Sequence, residues 1–532
     1  MKIYETVQRQ AEAYADQPFL HIPRQATAAY AAGPVDYTYA EALRAVDRLR
    51  RRFADAGYGT GHRVAVALDN RADAIIAFLA LNALGVSFVP LNMEQRPDEL
   101  AHVIGHSDAV LVVSLPGHAP KLAQAVQLLP EDVPISVYDP PEFKPAPAPA
   151  TRASLEDAAM VYTSGTTGKP KGCLLSEEYF LHAGEWYAEL GGYCTLEPGR
   201  ERLLTPLPLF HMNALVVSFM AVLVTGGCLI QLDRFHPSSW WATVRDSGAT
   251  ALHYLGVMPA ILLSRPPDPG DDFSGQVKFG FGSNVEPEHH AVFEARFGFP
   301  LIEGWAMTET GCGGCIMANT EPRHVGQRCF GRPSDAVELR LADDAGQNVA
   351  AGEPGELLIR AAGPDPRRGF FSGYYKDPAA TAEAWQEGWL HTGDVARADR
   401  DGSLFFVERK KNIIRRSGEN IAISEVEATM MQHESVDACA VAPVRDMIRG
   451  EEVFACVVLH VAHPATAATA RDIFDFCHRR LTYYKAPGYI AFVDEIPTTA
   501  TQKIRRADMK KLAAGLAEHE DTFDLREFKR RS

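Results

Sequence analysis

The chain has 532 residues, 46% of them hydrophobic and 23% charged. These are the proportions of a folded globular protein, and they exclude collagen-like, fibrous and disordered chains. Lys and Arg number 53 against 68 Asp and Glu, a net charge of −15, which argues against bulk nucleic-acid or anionic-membrane binding but not against a phosphate ligand held by a local cluster of donors.

In chain order, the N-terminal segment MKIYETVQRQAEAYADQPFL has no apolar core of the secretory kind. The nine cysteines lack the even spacing of a disulfide framework. A cytoplasmic protein is expected. Thr38 with Glu41 makes a capping-box pattern ahead of Leu43, Val46, Leu49 and Phe53, an amphipathic helix that stops near Gly57. Val64 to Leu68 reads as a buried strand, Arg71 to Leu84 as a helix closed by Gly85, and Ser87 to Leu91 as the next strand. Strand–helix–strand order points to a parallel sheet. The Pro/Ala-rich stretch Glu142 to Ala153 reads as an extended surface connection inside one domain, because a buried strand resumes at Ala158 to Thr163.

From Met212 to Leu232 no side chain is charged, a length that could span a membrane. Gly226 and Gly227 interrupt it, so a buried helix, a turn and a short strand are expected instead. Charge then rises at Glu408 to Asn420, a second boundary. Beyond it, Ser424 with Glu427 resembles another helix cap, strands are expected near Asp437–Pro443 and Val453–Val461, a helix near Ala467–Leu481, and a strand at Tyr489–Ile496. The last 120 or so residues read as a small α+β domain.

The densest chemistry lies in VYTSGTTGKPKG, Val161 to Gly172. A strand runs into a loop with three glycines, four hydroxyl side chains (Thr163, Ser164, Thr166, Thr167) and two lysines (Lys169, Lys171). Glycines let the backbone approach closely, and successive N–H groups cradle phosphate oxygens. The Walker pattern does not fit, because Gly165 and Gly168 are three apart and Pro170 follows Lys169.

This loop resembles that of the adenylate-forming superfamily, which includes acyl-CoA synthetases, luciferases and peptide-synthetase adenylation domains. Further motifs of that family follow in order: PLPLFHMNA (Pro206 to Ala214), GWAMTET (Gly304 to Thr310), GELLIR (Gly355 to Arg360), GYYKDP (Gly373 to Pro378), GWLHTGD (Gly388 to Asp394), ERKKNIIRRSGENIAISEVE (Glu408 to Glu427), YYKAP (Tyr483 to Pro487) and TATQKIRR (Thr499 to Arg506). The resemblance implies an α/β fold: a large N-terminal domain of parallel and mixed sheets with flanking helices (1–408), a hinge (409–413) and a small mobile α+β lid (414–532).

It also implies an activity. Attack of a carboxylate on the α-phosphate of ATP gives an acyl-adenylate and pyrophosphate, and CoA then takes the acyl group as a thioester. ATP, Mg²⁺ and coenzyme A are the implied cofactors. By the same resemblance, Thr163, Ser164, Gly165, Thr166, Thr167, Gly168, Lys169 and Lys171 hold the β- and γ-phosphates, Glu309 ligates Mg²⁺ and Thr308 contacts the α-phosphate. Trp305 stacks on adenine, with Gly282 and Ser283 lining the other side of the base. Asp394 accepts from the ribose hydroxyls, assisted by Arg409. Lys503 is the catalytic lysine that bridges the carboxylate and the α-phosphate. Lys411 stands at the hinge, and Ser417, Gly418 and Glu419 line the CoA tunnel.

For the acid, His211 matches the residue beside the reacting carboxylate, with Met212, Asn213, Ala306 and Cys312 in the acyl pocket. The segment after Phe210 carries no carboxylate of the kind that pairs a substrate amine. The SGENI loop with Arg323 to Pro333 looks most like the crotonobetaine/carnitine-CoA ligase and medium-chain fatty-acyl-CoA synthetase branch. The chain departs from the family pattern at Ala306 (usually Gly), at Trp305 (usually Tyr) and at Gln502 (commonly Gly). Cys312 and Cys315 form a lone C-x-x-C with no second ligand pair, which reads as space for substrate rather than zinc. A small or medium, polar acid is expected, on a monomer or homodimer with no nucleic-acid partner. Transfer to a carrier protein or an amine is the alternative within the fold, and a non-catalytic nucleotide sensor is the alternative outside the enzyme class.

Overall fold

A computed structural model of the chain describes residues 2–130, 133–138, 143–148, 157–163, 170–416, 419–446, 449–498 and 504–529. The first capping box forms as the sequence dictates. Thr38 Oγ1 accepts from the Glu41 N–H at 3.2 Å, and the Glu41 carboxylate accepts from the Thr38 N–H at 2.9 Å. The helix Tyr39–Asp55 that follows buries Ala42, Val46, Leu49 and Phe53 on one face. It packs on the helix Ala72–Asn82, whose apolar residues are buried all round because it lies inside the core.

Strands Arg63–Ala67, Ser87–Pro90 and Leu111–Ser114 pair in parallel, in line with their strand–helix–strand spacing. They form the middle of a seven-stranded sheet whose other end is the antiparallel hairpin Asp157–Thr163 and Lys171–Ser176, edged by Gly373–Tyr374. Residues 143–148 of the Pro/Ala-rich stretch lie against this unit. Phe143 stacks on Phe53 at 4.0 Å, and the Ala146 N–H donates to the Ala56 carbonyl.

A second sheet, of eight strands, is parallel through Leu301–Trp305, Phe279–Gly282, Ala251–His253, Arg202–Thr205, Cys228–Gln231 and Pro18–Ile22. The uncharged span lies at its centre. A π-helical turn, Asn213–Ser218, continues into the helix Phe219–Thr225, Gly226 ends it at φ +73°, and the strand Cys228–Gln231 follows. Among the described residues no helix is long and apolar enough to cross a membrane. A third, antiparallel sheet includes Gly355–Ala361, Trp389–Ala398 and Leu404–Arg409.

The small C-terminal domain is built on strands Ile413–Arg416, Glu419–Ala422, Val436–Asp446, Gly450–Leu459, Tyr489–Phe492 and Thr522–Asp524. It has its own apolar core, in which Ile414, Val426, Val441 and Phe474 are buried. One expectation fails here. The helix Ile423–Met430 starts two residues earlier, with Ala422 at its N-cap, and Ser424 with Glu427 does not cap it. The Glu408 carboxylate accepts from the Ser424 N–H at 3.0 Å. Glu427 is taken up elsewhere, by a two-pronged pair with Arg506 and by the Val441 N–H at 2.7 Å. Across the same sheet the wholly buried Glu452 accepts from Arg416 Nε at 2.7 Å and from the Lys529 ammonium.

Candidate active site

The phosphate-loop candidate starts and ends on paired residues. Thr163 and Lys171 are direct partners across the hairpin. Ser164, Gly165, Thr166, Thr167, Gly168 and Lys169 between them lie outside the described residues. The Lys171 ammonium sits 4.8 Å over the Tyr374 ring and 3.9 Å from the Asp377 carboxylate. Tyr374, paired with Cys173 on the hairpin's outer edge, donates its hydroxyl to Glu309 Oε1 at 2.7 Å.

Burial, reinforced by the Glu309 charge, holds the Tyr374 proton far above the usual phenol range, so this donor is permanent. The buried Cys173 thiol lies 3.9 Å from both Glu309 Oε1 and Thr163 Oγ1, and burial pushes it up as well. Glu309 is therefore a nearly buried carboxylate with one oxygen committed, lying against the hairpin at Tyr374 and Cys173. Tyr374 has no role in the sequence reading, although GYYKDP is among its motifs.

The segment that carries Glu309 leaves the strand Leu301–Trp305 in a tight turn. Thr310 Oγ1 accepts from the Met307 N–H at 2.9 Å. Gly311 follows at φ +52°, where a Cβ would come within 2.4 Å of the Gly369 carbonyl and the Tyr179 ring. A glycine is required there on both counts. At the strand's end the Trp305 indole N–H donates to Asp394 Oδ2 at 2.9 Å. Asp394 pairs across the third sheet with Arg409, whose Nε lies 2.9 Å from Oδ1. Gly282 pairs with Glu303 in the neighbouring strand, and Ser283 follows it. Glu303 is buried, its carboxyl raised by burial, and it accepts from Tyr254 and from the Val285 N–H, which fixes the 283–285 loop.

On the acyl side, His211 is exposed with its ring against Phe210 at 4.7 Å. Met212 Sδ lies 3.7 Å from the Tyr179 hydroxyl, which donates to the Thr308 carbonyl at 2.8 Å. Asn213 Oδ1 lies 3.0 Å from His253 Nδ1. Ala306 is exposed, while Cys312 and Cys315 are buried with thiols raised by burial, Cys315 to about 12. Three groups of the described candidates are brought together: Thr163, Lys171 and Glu309 around Cys173 and Tyr374, Trp305, Asp394 and Arg409, and Met212 with Thr308 through Tyr179. The side chains of Lys411 and Glu419, and the residues Ser417, Gly418 and Lys503, lie outside the described residues.

The arrangement supplies a buried carboxylate beside a lysine and hydroxyls, and a second carboxylate framed by an indole and a guanidinium. The first suits a hard cation with phosphate, the second a diol. Comparison with known proteins agrees with this chemistry. The model of the AMP-binding enzymes matches residues 7–375, and that of the AMP-binding enzyme C-terminal domain matches residues 425–503. The chain is similar to sulfoacetate–CoA ligase of Cupriavidus necator, 34% identical over 473 residues covering 86% of this chain and 89% of the relative. It is similar to crotonobetaine/carnitine–CoA ligase of Shigella sonnei, 28% identical over 495 residues covering 89% and 93%. Its fold is similar to that of o-succinylbenzoate CoA synthetase from Bacillus subtilis, solved with an acyl-adenylate intermediate, with a TM-score of 0.80 at 24% identity over 96% of this chain and 98% of that one.

Proposed function

The chain belongs to the AMP-binding enzyme family, and from that membership we propose an ATP-dependent acid–CoA ligase that forms an acyl-adenylate with release of pyrophosphate and then the acyl-CoA thioester. Its cofactors are ATP, Mg²⁺ and coenzyme A. The observation that carries the reading is Glu309, nearly buried, with one oxygen held by Tyr374 and with Thr163 and Lys171 at the same hairpin mouth. Both reactants are anionic, so the site has to supply positive charge and N–H donors.

Glu309 fits Mg²⁺, which takes one or two protein carboxylates and completes its shell with water and substrate phosphates. When bound, the ion neutralises phosphate charge. The protein's own groups do the rest. Lys171, Lys169 and the loop hydroxyls and N–H groups cradle the β- and γ-phosphates, and Thr308 contacts the α-phosphate. Asp394 accepts from the ribose, held in place by Trp305 and Arg409. Trp305, Gly282 and Ser283 bound the adenine. Lys503 bridges the carboxylate and the α-phosphate, and His211 stands beside the carboxylate.

The division of labour is that of a fixed body and a moving lid: residues 1–408, a hinge at 409–413 containing Lys411, and residues 414–532. One orientation brings Lys503 in. The other brings Ser417, Gly418 and Glu419 to the passing pantetheine arm. The acid is small or medium and polar, and relatives acting on sulfoacetate and on crotonobetaine or carnitine support that class. The enzyme works in the cytoplasm as a monomer or homodimer.

A panel of carboxylic acids, assayed for pyrophosphate and AMP release with and without CoA, tests the reading. Pyrophosphate release is expected to need ATP and acid, and sustained AMP release to need CoA as well. Equal AMP turnover without CoA overturns the acceptor. Palmitate outrunning every short acid overturns the substrate class.

A further inference from the structure

The hairpin that carries Thr163 and Lys171 is gripped from outside by a helix with no task in the ligase reading. The helix Pro97–His106 turns Leu100, Ala101, Val103 and Ile104 into an apolar core shared with Met160, Tyr162 and Leu174 of the hairpin. Its start is fixed by the Glu99 carboxylate, which accepts from the Arg96 N–H at 2.8 Å. Beyond its end, the Asp108 carboxylate accepts from the Tyr375 hydroxyl and the Lys376 ammonium, both at 2.6 Å. His102 and His106 are four apart and so share one side of the helix. Their rings lie 5.2 Å apart, and both meet the Tyr162 ring edge-on.

Each histidine holds one arm of the hairpin. His102 Nε2 lies 3.1 Å from the Pro170 carbonyl. A carbonyl only accepts, so Nε2 carries the proton and donates it there. His106 Nδ1 lies 2.8 Å from the hydroxyl of Tyr162, a phenol whose proton burial retains. Tyr162 pairs with Gly172 and Thr163 with Lys171, so the two arms are tied beside their last described pair. Pro170 has no N–H, and the ladder loses a donor one residue beyond that pair. Its carbonyl belongs to the same rigid peptide unit as the Lys171 N–H, so a bond to that carbonyl sets the plane from which Lys171 starts. The Lys171 ammonium in turn lies over Tyr374, whose hydroxyl holds Glu309.

We propose that His102 is a positioning residue for the triphosphate of ATP: its N–H, with the His106–Tyr162 bond beside it, holds the hairpin so that Thr163 and Lys171 meet the β- and γ-phosphates together with Glu309. It touches no substrate and acts through the Pro170–Lys171 peptide. The inference rests on the acid–CoA ligase reading and adds to it a group outside the site that serves one half of the nucleotide. The adenosine half depends on Trp305, Asp394 and Arg409, which His102 does not reach by any of these bonds.

Binding of MgATP and of AMP, measured by titration calorimetry without acid or CoA, separates the two halves, because AMP has no β- or γ-phosphate. His102→Leu keeps much of the ring's bulk and removes the donor. It is expected to raise the Kd of MgATP by roughly 3- to 10-fold and that of AMP by less than about twofold. His102→Gln, whose side-chain amide supplies an N–H in place of Nε2–H, is expected to bring the Kd of MgATP back to within about twofold of the wild type. His102→Ala carries the same expectation as His102→Leu and decides the matter should His102→Leu not fold. Equal weakening for both nucleotides, no weakening, or a His102→Gln variant as weak as His102→Leu overturns the inference and leaves the ligase reading standing. A wild type that binds neither nucleotide overturns both.

Discussion

The indole of Trp305 and the carboxylate of Asp394, 89 residues apart, meet in a 2.9 Å hydrogen bond. This bond joins the strand Leu301–Trp305 of the eight-stranded sheet to the antiparallel sheet. The indole of Trp305 therefore has a use beyond its flat face: it is the donor that fixes one oxygen of Asp394 while Arg409 faces the other.

Trp305→Phe keeps an aromatic face and removes that donor. Loss of a hydrogen bond to a buried charged group costs about 1–3 kcal/mol. The expected result is a KM for ATP raised by roughly 5- to 150-fold with kcat changed much less, measured by pyrophosphate exchange. An unchanged KM would show that Arg409 alone holds the carboxylate.

Tyr374→Phe leaves Glu309 without its fixed donor. A carboxylate that is free to turn binds a cation less well, so the Mg²⁺ concentration for half-maximal activity is expected to rise by about 3- to 10-fold. Saturating Mg²⁺ is expected to restore most of the rate. A loss of rate that Mg²⁺ does not restore would place the phenol in a different role.

The buried His253 makes stability depend on pH. Its folded value of about 3 lies below the usual 6.5, so in that interval the unfolded chain binds a proton that the folded one does not. Its contribution is present above pH 6.5 and is lost as pH falls towards 3, a span worth on the order of 5 kcal/mol. Tyr187, Ser218, Asn213 and the edge-on Phe281 ring surround it without charge. In His253→Phe the fall in urea midpoint between pH 6.5 and 4 is expected to be shallower than in the wild type. Parallel curves would mean the imidazole is charged in the fold.

The two proposed orientations of the lid are expected to separate by half-reaction. Lys503→Ala is expected to lose adenylation by several orders of magnitude and still form thioester from supplied acyl-adenylate. Gly418→Leu is expected to retain pyrophosphate exchange and lose thioester formation, because a side chain there blocks the pantetheine path. Loss of the same half-reaction in both variants would sink the two-orientation assignment.

Much of this architecture is legible in the chain because its signals are local. The Thr38–Glu41 box, the Gly226 stop and the strand–helix–strand spacing each lie within a few residues and fold as read. The Ser424–Glu427 pattern is just as local and fails, because Arg506, 79 positions away in sequence, offers Glu427 a charged partner and Glu408 supplies the cap instead. The site divides in the same way. Glu309 and Asp394 stand in recognisable motifs, but Tyr374 is 65 residues from Glu309 and His253 is 40 from Asn213. No periodicity announces such pairs, since they exist only once the sheets and the turns packed on them are brought together.

The Glu452 cluster has a consequence for where the protein can be shortened. Lys529 lies far along the sequence, yet its ammonium is fully enclosed and meets the same carboxylate as Arg416, the residue just before Ser417 and Gly418. A chain cut ahead of Lys529 leaves Glu452 sealed in the interior with one counter-charge in place of two. The damage from such a trim would be felt at the strand end leading into the loop proposed to pass the pantetheine arm, tying the far end of the chain to the second half-reaction.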